Sequence, residues 1–318
     1  MSKNNKIIDT KPFKIKAKTK IKLSDFATEY KGKELNKENS ISFLESGKEE
    51  LSILQDKLYA HNKYGILIIF QAMDAAGKDG AVKHVMSGLN PQGVKVYSFK
   101  APSIKELDHN YLWRHQQAAP AKGEFAIHNR SHYENVLIAK VHPNIVLNEQ
   151  LPNITQLEDI DKHFWEKRYE QINRFEQNLA ENGTIILKFY LHLSKKEQKK
   201  RFLERIDDPS KNWKFSMSDI EERQYWDDYQ KAYEDAISAT ATPLAPWYII
   251  PADDKWYARL LIASIIKETI DALDLAYPTL AASEKAKLED AKKLLLNEAE
   301  EGKIIKEKNK EKEKKNKK

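Results

Sequence analysis

Short apolar runs divide the chain into alternating strands and helices. The run Tyr64–Phe70 is continuous and rich in β-branched residues, which predicts a strand buried on both faces of a sheet. Four more strands are predicted, over Val94–Phe99 and over the sequences FAIHN (125–129), TIILKFYLHL (184–193) and PWYIIP (246–251). Between these runs, apolar residues recur every three or four positions, which is typical of amphipathic helices.

The predicted helices are bounded by turn and capping signals. The sequences NPQG (90–93) and APAKG (119–123) end the first two helices, and Gly183 ends a long one over 156–181. Ser194 and Ser218 each begin an S-x-x-E capping box, so each predicts a helix start. The apolar positions expected to face the core are Val82, Val85, Met86 and Leu89; Leu107, Tyr111 and Leu112; Ile160, Phe164, Ile172, Phe175 and Leu179; Trp226, Tyr229, Tyr233 and Ile237; and Leu260, Leu261, Ile265 and Ile266.

Five strands separated by helices predict an α/β fold of three layers, in which a parallel sheet is flanked by helices on both faces. In such sheets, ligands bind beyond the carboxyl ends of the strands. The polar segments QAMDAAGKDG (71–80) and HNRS (128–131) follow the first and third strands. Both are therefore expected at this edge of the sheet.

Charge is distributed unevenly along the 318 residues. The formal net charge is +6, but residues 1–20 alone carry +6 and residues 281–318 carry +4, so residues 21–280 carry −4. We predict a flexible basic arm (1–20), a folded domain (21–280) and a Lys/Glu-rich tail that is helical or disordered (281–318). Because the basic charge belongs to the ends, no nucleic-acid partner is expected. An anion site in the body requires a local cluster of cations.

Cysteine is absent, which excludes disulfides, thiolate metal sites and a cysteine nucleophile. The apolar runs Ile66–Phe70 and Leu260–Ala263 are too short to cross a membrane, so no membrane partner is expected. The N-terminus lacks the apolar segment of a secretion signal. Together these features predict a soluble, cytoplasmic protein.

The segment QAMDAAGKDG resembles a phosphate-binding loop, G-x-x-x-x-G-K-[ST], with two changes. Ala72 stands at the first glycine, and Asp79 stands at the Ser/Thr that would bind a metal ion. Between a strand and a helix, Gly77 and Lys78 can direct backbone N–H groups and an ammonium group towards phosphate oxygens. The alternative is an ordinary strand–turn–helix with a surface lysine.

Asp74 places a carboxylate inside this loop. At about 4 Å from a phosphate charge, a carboxylate costs on the order of 4 kcal/mol at an effective dielectric constant of about 20. Mg²⁺ bridges carboxylates to phosphates, so we interpret Asp74 as a ligand of Mg²⁺, direct or through water, with Mn²⁺ as a substitute ion. Two interpretations of Asp79 remain open. It could be part of the phosphate site, or it could be an acidic residue in the first helical turn that interacts favourably with the helix dipole.

Polar residues outside the loop are candidates for further contacts. Arg130 follows the third strand and could bridge two phosphates, although a helix cap or a surface ion pair is the simpler interpretation. Asn129 stands where P-loop enzymes usually carry a metal-binding aspartate. Arg114 and His115, on the helix before APAKG, are further candidates for phosphate contacts, and the simpler interpretation is that neither has a special role. His132 has no implied partner and is assigned no catalytic role.

Residues 201–215, RFLERIDDPSKNWKF, carry several cations across a break between two helices. A mobile cationic loop is how P-loop kinases close over phosphates and exclude water. Basic residues in loops are more commonly only solvated, so composition alone does not assign this segment. The four cations are Arg201, Arg205, Lys211 and Lys214.

Together these segments resemble the polyphosphate kinase 2 family. The resemblance spans about residues 21–280 and rests on DAAGKDG, NPQGVKVYSFKAPS, LWRHQQAAPAKGE, NRSHYENVL, RIDDPSKNWKFS and APWYIIPADDKWYARL. The QAMDAAGKDG and NRSHYE variants look like class III, whose members phosphorylate both AMP and ADP from polyphosphate. Two residues depart from the family pattern: Ala72, where relatives usually have glycine, and His128, where phenylalanine is expected.

The resemblance implies a P-loop kinase fold similar to thymidylate kinase, with a helical lid at about residues 200–220. It implies a Mg²⁺-dependent, reversible transfer of phosphoryl groups from inorganic polyphosphate to AMP or ADP, forming ADP or ATP. Guanine nucleotides are further candidate substrates, and a homodimer or homotetramer is expected. The competing hypotheses are an ATP-dependent nucleoside or nucleotide kinase of similar fold and a non-catalytic binder acting through the lysine-rich ends.

The resemblance also implies roles for particular residues. It assigns Lys78 and Arg130 to the transferring phosphates, Asp74 to metal and phosphate positioning, and Arg205 to the lid; these four are the predicted catalytic residues. Further residues are predicted to contact phosphate or nucleotide: Ala75, Ala76, Gly77, Asp79, Gly80, Lys83, Arg114, Asn129, Glu134, Lys211 and Lys214.

Overall fold

The computed structural model describes residues 8–315, and side chains over residues 8–298. Within them, five parallel strands form one sheet in the order β2–β3–β1–β4–β5, which confirms the predicted α/β fold. The strands are β1 (Gly65–Ala72), β2 (Val94–Ser98), β3 (Phe125–Asn129), β4 (Thr184–His192) and β5 (Trp247–Pro251).

Helices cover both faces of this sheet and connect its strands. In chain order these helices are α1 (Lys37–His61), α2 (Lys78–Met86), α3 (Ile104–Leu107), α4 (Trp113–Gln117), α5 (Ile138–Val141), α6 (Asn144–Leu147), α7 (Lys162–Glu181), α8 (Lys195–Asp207), α9 (Met217–Glu222), α10 (Trp226–Thr240) and α11 (Lys255–Asp271). A further helix, α12 (Ala282–Lys315), comes later in the chain. Short 3-10 turns include Leu157–Asp159, His132–Val136 and Asn212–Lys214.

The central strand β1 is buried along its whole length, as its apolar run predicts. Ile66, Ile68 and Phe70 face one core layer, which includes residues of α1, α2 and α11. Leu67 and Ile69 face the other, which includes residues of α7 and α10. Because side chains alternate along a strand, a continuous apolar run supplies both layers.

Helix α1 is absent from the predicted elements. Its residues Leu44, Leu51, Leu54 and Leu58 are buried in a sequence that is otherwise largely polar, and the helix packs along α11. Asn36 caps it by accepting a hydrogen bond from the backbone N–H of Asn39. Its apolar face becomes evident once the tertiary packing is known.

Several predicted helix boundaries differ from the structure. The helix expected around Leu107–Leu112 is split, because the side chain of Asn110 accepts a hydrogen bond from the backbone of Leu112 and forms a turn between α3 and α4. The helix predicted over 156–181 begins instead at Lys162 as α7, after Asp161 caps it.

Of the two predicted capping serines, one is confirmed. Ser194 accepts a hydrogen bond from the backbone N–H of Glu197 at 3.1 Å and caps α8. Ser218 instead lies inside α9, whose N-cap position is Ser216.

The N-terminal arm is described from Ile8 onward and differs from the flexible segment expected over residues 1–20. Ile8 and Ile15 are buried, and the backbone N–H of Ile15 donates to the carbonyl of Trp247 on β5 at 2.8 Å. These apolar contacts hold residues 8–15 against the sheet, while residues 1–7 lie outside the described part.

The chain divides into two compact units, residues 1–276 and 277–318. The second contains α12, so the Lys/Glu-rich tail is helical over residues 282–315. Among the described helices, none has both the length and the apolar composition needed to cross a lipid bilayer.

Candidate active site

The loop between β1 and α2 lies at the carboxyl edge of the sheet. Ala75 and Gly77 adopt the left-handed region, with φ of 62° and 102°. This conformation turns the chain sharply from β1 into α2, and turns of this kind present backbone N–H groups to anions. The predicted strand, turn and helix are therefore present, and phosphate binding by this turn stays a prediction.

The ammonium group of Lys78 lies inside this loop. Its Nζ donates a 3.0 Å hydrogen bond to the carbonyl oxygen of Ala72. Burial lowers the pKa of Lys78, while the negative charges of Asp74 and Glu134 act in the opposite direction. A cation held in partly desolvated surroundings interacts strongly with a phosphate that enters the loop.

Arg130 and Asp74 meet across the ends of two neighbouring strands. The Nη2 of Arg130 lies 3.2 Å from Oδ1 of Asp74, and the backbone N–H of Arg130 donates to the carbonyl of Phe70 at 3.1 Å. The pKa of Arg130 is raised, because Glu134 and Asp74 outweigh the opposing effect of burial. The strand order β3–β1 thus brings together two segments that are far apart in sequence.

A cavity of about 240 Å³ opens beside the loop and is strongly cationic. Ala75, Ala76, Gly77 and Gly80 form its wall on the loop side. Among its described lining residues, six carry positive charge and one, Glu204, carries negative charge. The six cations are Arg201, Arg205, Lys211, Lys214, Lys255 and Arg259.

Two of these cations, Lys255 and Arg259, were not singled out from the sequence. They lie on α11, directly after β5, within the segment APWYIIPADDKWYARL. Burial lowers the pKa of both side chains, and the charge of Arg201 lowers them further. The positive charges of these side chains repel one another, and a polyanion in the cavity would relieve this repulsion.

Arg201 also holds the loop in place. It is only 4 % exposed and lies on α8. Its guanidinium group joins the phosphate-binding loop to the segment after β5, and Glu197 fixes its Nε at 2.9 Å. The four carbonyl acceptors are those of Ala75 (3.1 Å), Ala76 (2.9 Å), Ala252 (2.7 Å) and Asp253 (2.9 Å).

A second cavity, of about 310 Å³, is lined by Asp74, Arg130, Glu134 and Asp219, among other residues. Burial raises the pKa of Asp219, and the charge of Asp74 raises it further. Arg205, in the last turn of α8, lies close to Asp219 on α9, with 3.4 Å between Nη1 and Oδ2. The oxygen-rich surroundings of Asp74 and Asp219 fit a hard divalent cation, which would relieve their repulsion.

A third cavity, of about 330 Å³, shares Arg130 and Glu134 with the second. Burial raises the pKa of Glu134, against the opposing charges of Arg130 and Lys78. Its walls combine apolar and aromatic side chains with a similar number of polar and charged ones, which suits a planar organic ring that carries polar groups. The apolar and aromatic lining includes Phe99, Pro102, Leu107, Tyr111, Ile138 and Ile145.

The remaining predicted residues occupy different positions. Arg114 lines the third cavity and donates to the carbonyl of Lys100 at 2.9 Å. Asn129 donates to the carboxylate of Asp79 at 2.6 Å. Lys83 is exposed on α2 and is absent from the described lining of these three cavities.

Comparison with known proteins identifies the family. A family model described as polyphosphate kinase 2 matches residues 34–278, which is most of the chain. This chain belongs to the polyphosphate kinase 2 family. The structure of polyphosphate kinase 2 from Arthrobacter aurescens superposes with a TM-score of 0.78 at 38% identity, covering 88% of this chain and 95% of that one.

Two curated proteins are similar to this chain over most of their own length. ADP-polyphosphate phosphotransferase of Rhodopseudomonas palustris is 49% identical over 289 residues, covering 91% of this chain and 99% of that protein. AMP/ADP-polyphosphate phosphotransferase of Meiothermus ruber is 48% identical over 240 residues, covering 75% of this chain and 84% of that protein.

Proposed function

We propose that this polyphosphate kinase 2 transfers the terminal phosphoryl group of inorganic polyphosphate to AMP or ADP, forming ADP or ATP, and catalyses the reverse reaction. The observation that carries the proposal is the six-cation cavity against the phosphate-binding loop. Its charge suits a chain of phosphates, while the aromatic lining suited to a nucleobase belongs to the third cavity. The names of the two relatives, ADP- and AMP/ADP-polyphosphate phosphotransferase, agree with this arrangement.

In the proposed reaction, the acceptor phosphate enters from the side of the second and third cavities, and polyphosphate enters from the cationic cavity. Lys78 and Arg130 hold the transferring group between them and stabilise the charge that develops there. Transfer in line between the two phosphates requires no covalent enzyme intermediate, because positioning and charge neutralisation supply the catalysis. Arg205, Lys211 and Lys214 draw residues 200–220 towards the bound polyphosphate as a lid.

Enzymes of this family depend on a divalent metal ion. We propose Mg²⁺, with Mn²⁺ as a substitute, held by Asp74 with Asp219 nearby. When bound, the ion neutralises phosphate charge and orients the phosphate oxygens. Without it, the carboxylate of Asp74 would repel the phosphates that Lys78 and Arg130 attract.

Glu134 and Arg114 line the third cavity and are proposed to contact the acceptor nucleotide. Guanine nucleotides are proposed as additional acceptors. A homodimer or homotetramer is proposed from the family resemblance, and a cytoplasmic location is proposed from the composition of the sequence.

One assay tests the proposed donor. Purified protein is given Mg²⁺ and AMP or ADP with polyphosphate as donor, and in a parallel reaction AMP with ATP as donor; the nucleotides are then separated by chromatography. We expect polyphosphate to phosphorylate AMP or ADP and ATP to phosphorylate AMP only weakly, with a rate that falls as salt rises, since polyphosphate is held mainly by charge. Phosphorylation of AMP by ATP with no phosphorylation from polyphosphate would favour an ATP-dependent nucleotide kinase, and phosphorylation from neither donor would contradict the proposal.

A further inference from the structure

Three buried histidines converge behind the active-site segment, in a region that the proposed phosphotransfer does not use. His115 lies on α4, His128 on β3, and His132 in the 3-10 turn that follows. All three side chains are fully buried. One ring nitrogen from each lies within 4.8 Å of the other two.

Hydrogen bonds fix the tautomers of two of these rings. The Nε2 of His128 lies 3.0 Å from the carbonyl oxygen of Ala118, and the Nε2 of His132 lies 3.2 Å from a carboxylate oxygen of Glu176. Both oxygens only accept, so each Nε2 carries a hydrogen and each Nδ1 presents a lone pair. Within residues 8–298, neither Nδ1 has a hydrogen-bond partner.

His115 completes the group. Its ring centroid lies 6.0 Å from that of His128 and 5.6 Å from that of His132. Neither of its ring nitrogens has a hydrogen-bond partner among the described residues. Buried polar atoms are almost always paired, so several unpartnered nitrogens at one place indicate a ligand.

The three rings are in the form that binds metal. Burial is the main cause that lowers the pKa of each of the three histidines, and that of His128 falls to about 4. All three are therefore neutral at physiological pH and offer lone pairs. Three imidazole nitrogens in one place are a ligand set for a borderline transition-metal ion such as Zn²⁺.

We propose that His115, His128 and His132 form a binding site for a transition-metal ion, represented here by Zn²⁺. The site is chemically different from that of the catalytic ion, because Mg²⁺ prefers oxygen ligands. Zn²⁺ binds imidazole nitrogens at about 2.0–2.1 Å, which places neighbouring ligand nitrogens about 3.4 Å apart. The ring nitrogens now lie within 4.8 Å of one another, so binding would draw neighbouring nitrogens closer by up to about 1.4 Å.

Outer contacts support the site. A histidine that binds metal usually donates its other N–H to a carboxylate or a backbone carbonyl, and this orients the ring. Glu176 has this role for His132, and the carbonyl of Ala118 has it for His128. Glu176 is itself held by the Nζ of Lys188 at 2.6 Å.

The bound ion would connect α4, β3 and the following turn. His115 follows Arg114, and His128 is separated from Arg130 only by Asn129. The ion would thus stabilise the backbone that carries two residues lining the third cavity. Its role would be structural, so binding is tested without reference to activity.

The test uses the full chain after treatment with a chelator, with Zn²⁺ added alone. We expect one retained Zn²⁺ per chain after desalting, measured by elemental analysis, and a higher thermal midpoint. His128→Phe introduces the residue expected from the family pattern and should lose the retained ion and the thermal shift. The matched control is His163→Phe, which removes an exposed histidine on α7 and should retain both effects.

Co²⁺ supplies an independent measurement. Imidazole-bound Co²⁺ of low coordination number absorbs in the visible range, and this absorption should appear in the wild type and disappear in His128→Phe. If His128→Phe does not fold, His115→Phe serves as the second variant, since its ring would replace an imidazole whose centroid lies 4.2 Å from that of Phe99, in already aromatic surroundings. Equal Zn²⁺ retention by wild type and a folded cluster variant, or no retention by the wild type, would overturn the proposal.

Discussion

The side-chain amide of Asn129 donates a 2.6 Å hydrogen bond to Oδ1 of Asp79, from the end of β3 to the first turn of α2. P-loop enzymes usually have a hydroxyl at the position of Asp79 and a carboxylate at that of Asn129. In this chain the carboxylate is on the helix and the neutral partner is on the strand. As in other P-loop enzymes, the two positions together carry one negative charge, but the carboxylate and its neutral hydrogen-bond partner have exchanged positions.

This exchange predicts coupling between Asp79 and Asn129. Asn129→Asp alone places two carboxylates in contact, and Asp79→Ser alone removes the charge, so each should lower kcat/KM for ADP. The double variant Asp79→Ser/Asn129→Asp has the arrangement that is usual in P-loop enzymes. Its kcat/KM should be higher than the sum of the two single effects predicts, which corresponds to a coupling energy of about 1 kcal/mol or more. Steady-state kinetics of the four proteins measures this, and purely additive effects would contradict it.

Lys78→Ala should remove most of the activity without unfolding the protein. The ammonium group lies inside the loop, where its loss should lower kcat by about a hundredfold or more, as for other preorganised charge-stabilising groups. Thermal unfolding should change little, because Lys78 contributes one hydrogen bond to the fold. Lys95→Ala, which removes an exposed lysine on β2, is the control. A folded Lys78→Ala protein with near-normal turnover would contradict the assigned role.

Arg201 should matter for stability as well as turnover, because its guanidinium group joins the phosphate-binding loop to the segment after β5. Arg201→Ala leaves several buried carbonyl groups unpaired, and we expect a loss of about 3 kcal/mol in the free energy of unfolding. Denaturant unfolding measures this. Lys200→Ala, an exposed neighbour on α8, should be nearly neutral. Equal stability of the two variants would argue against the contacts described for Arg201.

Acid should destabilise the fold in a defined pH range. The pKa of His128 falls from 6.5 to about 4 on folding, so the unfolded chain binds a proton at a pH where the folded chain does not. The stabilisation is complete above pH 6.5 and decreases as the pH falls towards 4, by roughly 3 kcal/mol in total. In metal-free protein, His128→Phe should flatten this part of the profile, measured by denaturant unfolding at several pH values. An unchanged slope would contradict the shifted pKa.

Removal of residues 277–318 should leave phosphotransfer intact, because the cavities and the loop belong to the unit of residues 1–276. A deletion of residues 1–20 is a poorer test, since it removes the buried Ile8 and Ile15. ATP formation from ADP and polyphosphate measures the effect. Loss of activity in a folded truncated protein would instead favour binding through the lysine-rich tail.

The sequence alone was sufficient to predict those elements that are determined by neighbouring residues. The apolar run of β1 indicated a strand buried on both faces, and the order of residues from Ala72 to Lys78 indicated a turn into a helix. It also indicated that Asp74 and Arg130 lie at the same edge, because the carboxyl ends of parallel strands meet there. Helix α1 escaped prediction because its apolar face is sparse and forms a core only against α11.

Only the tertiary structure decided which distant side chains meet. Lys255 joins the cavity beside Gly77 because the sheet places β5 next to β4, which pairs with β1. Likewise, His115, His128 and His132 come from three elements, and only packing turns their rings towards one another. Local sequence patterns reflect burial and backbone hydrogen bonding, which depend on neighbouring residues. The composition of a site depends on strand order and packing, which bring together residues that are remote in the chain.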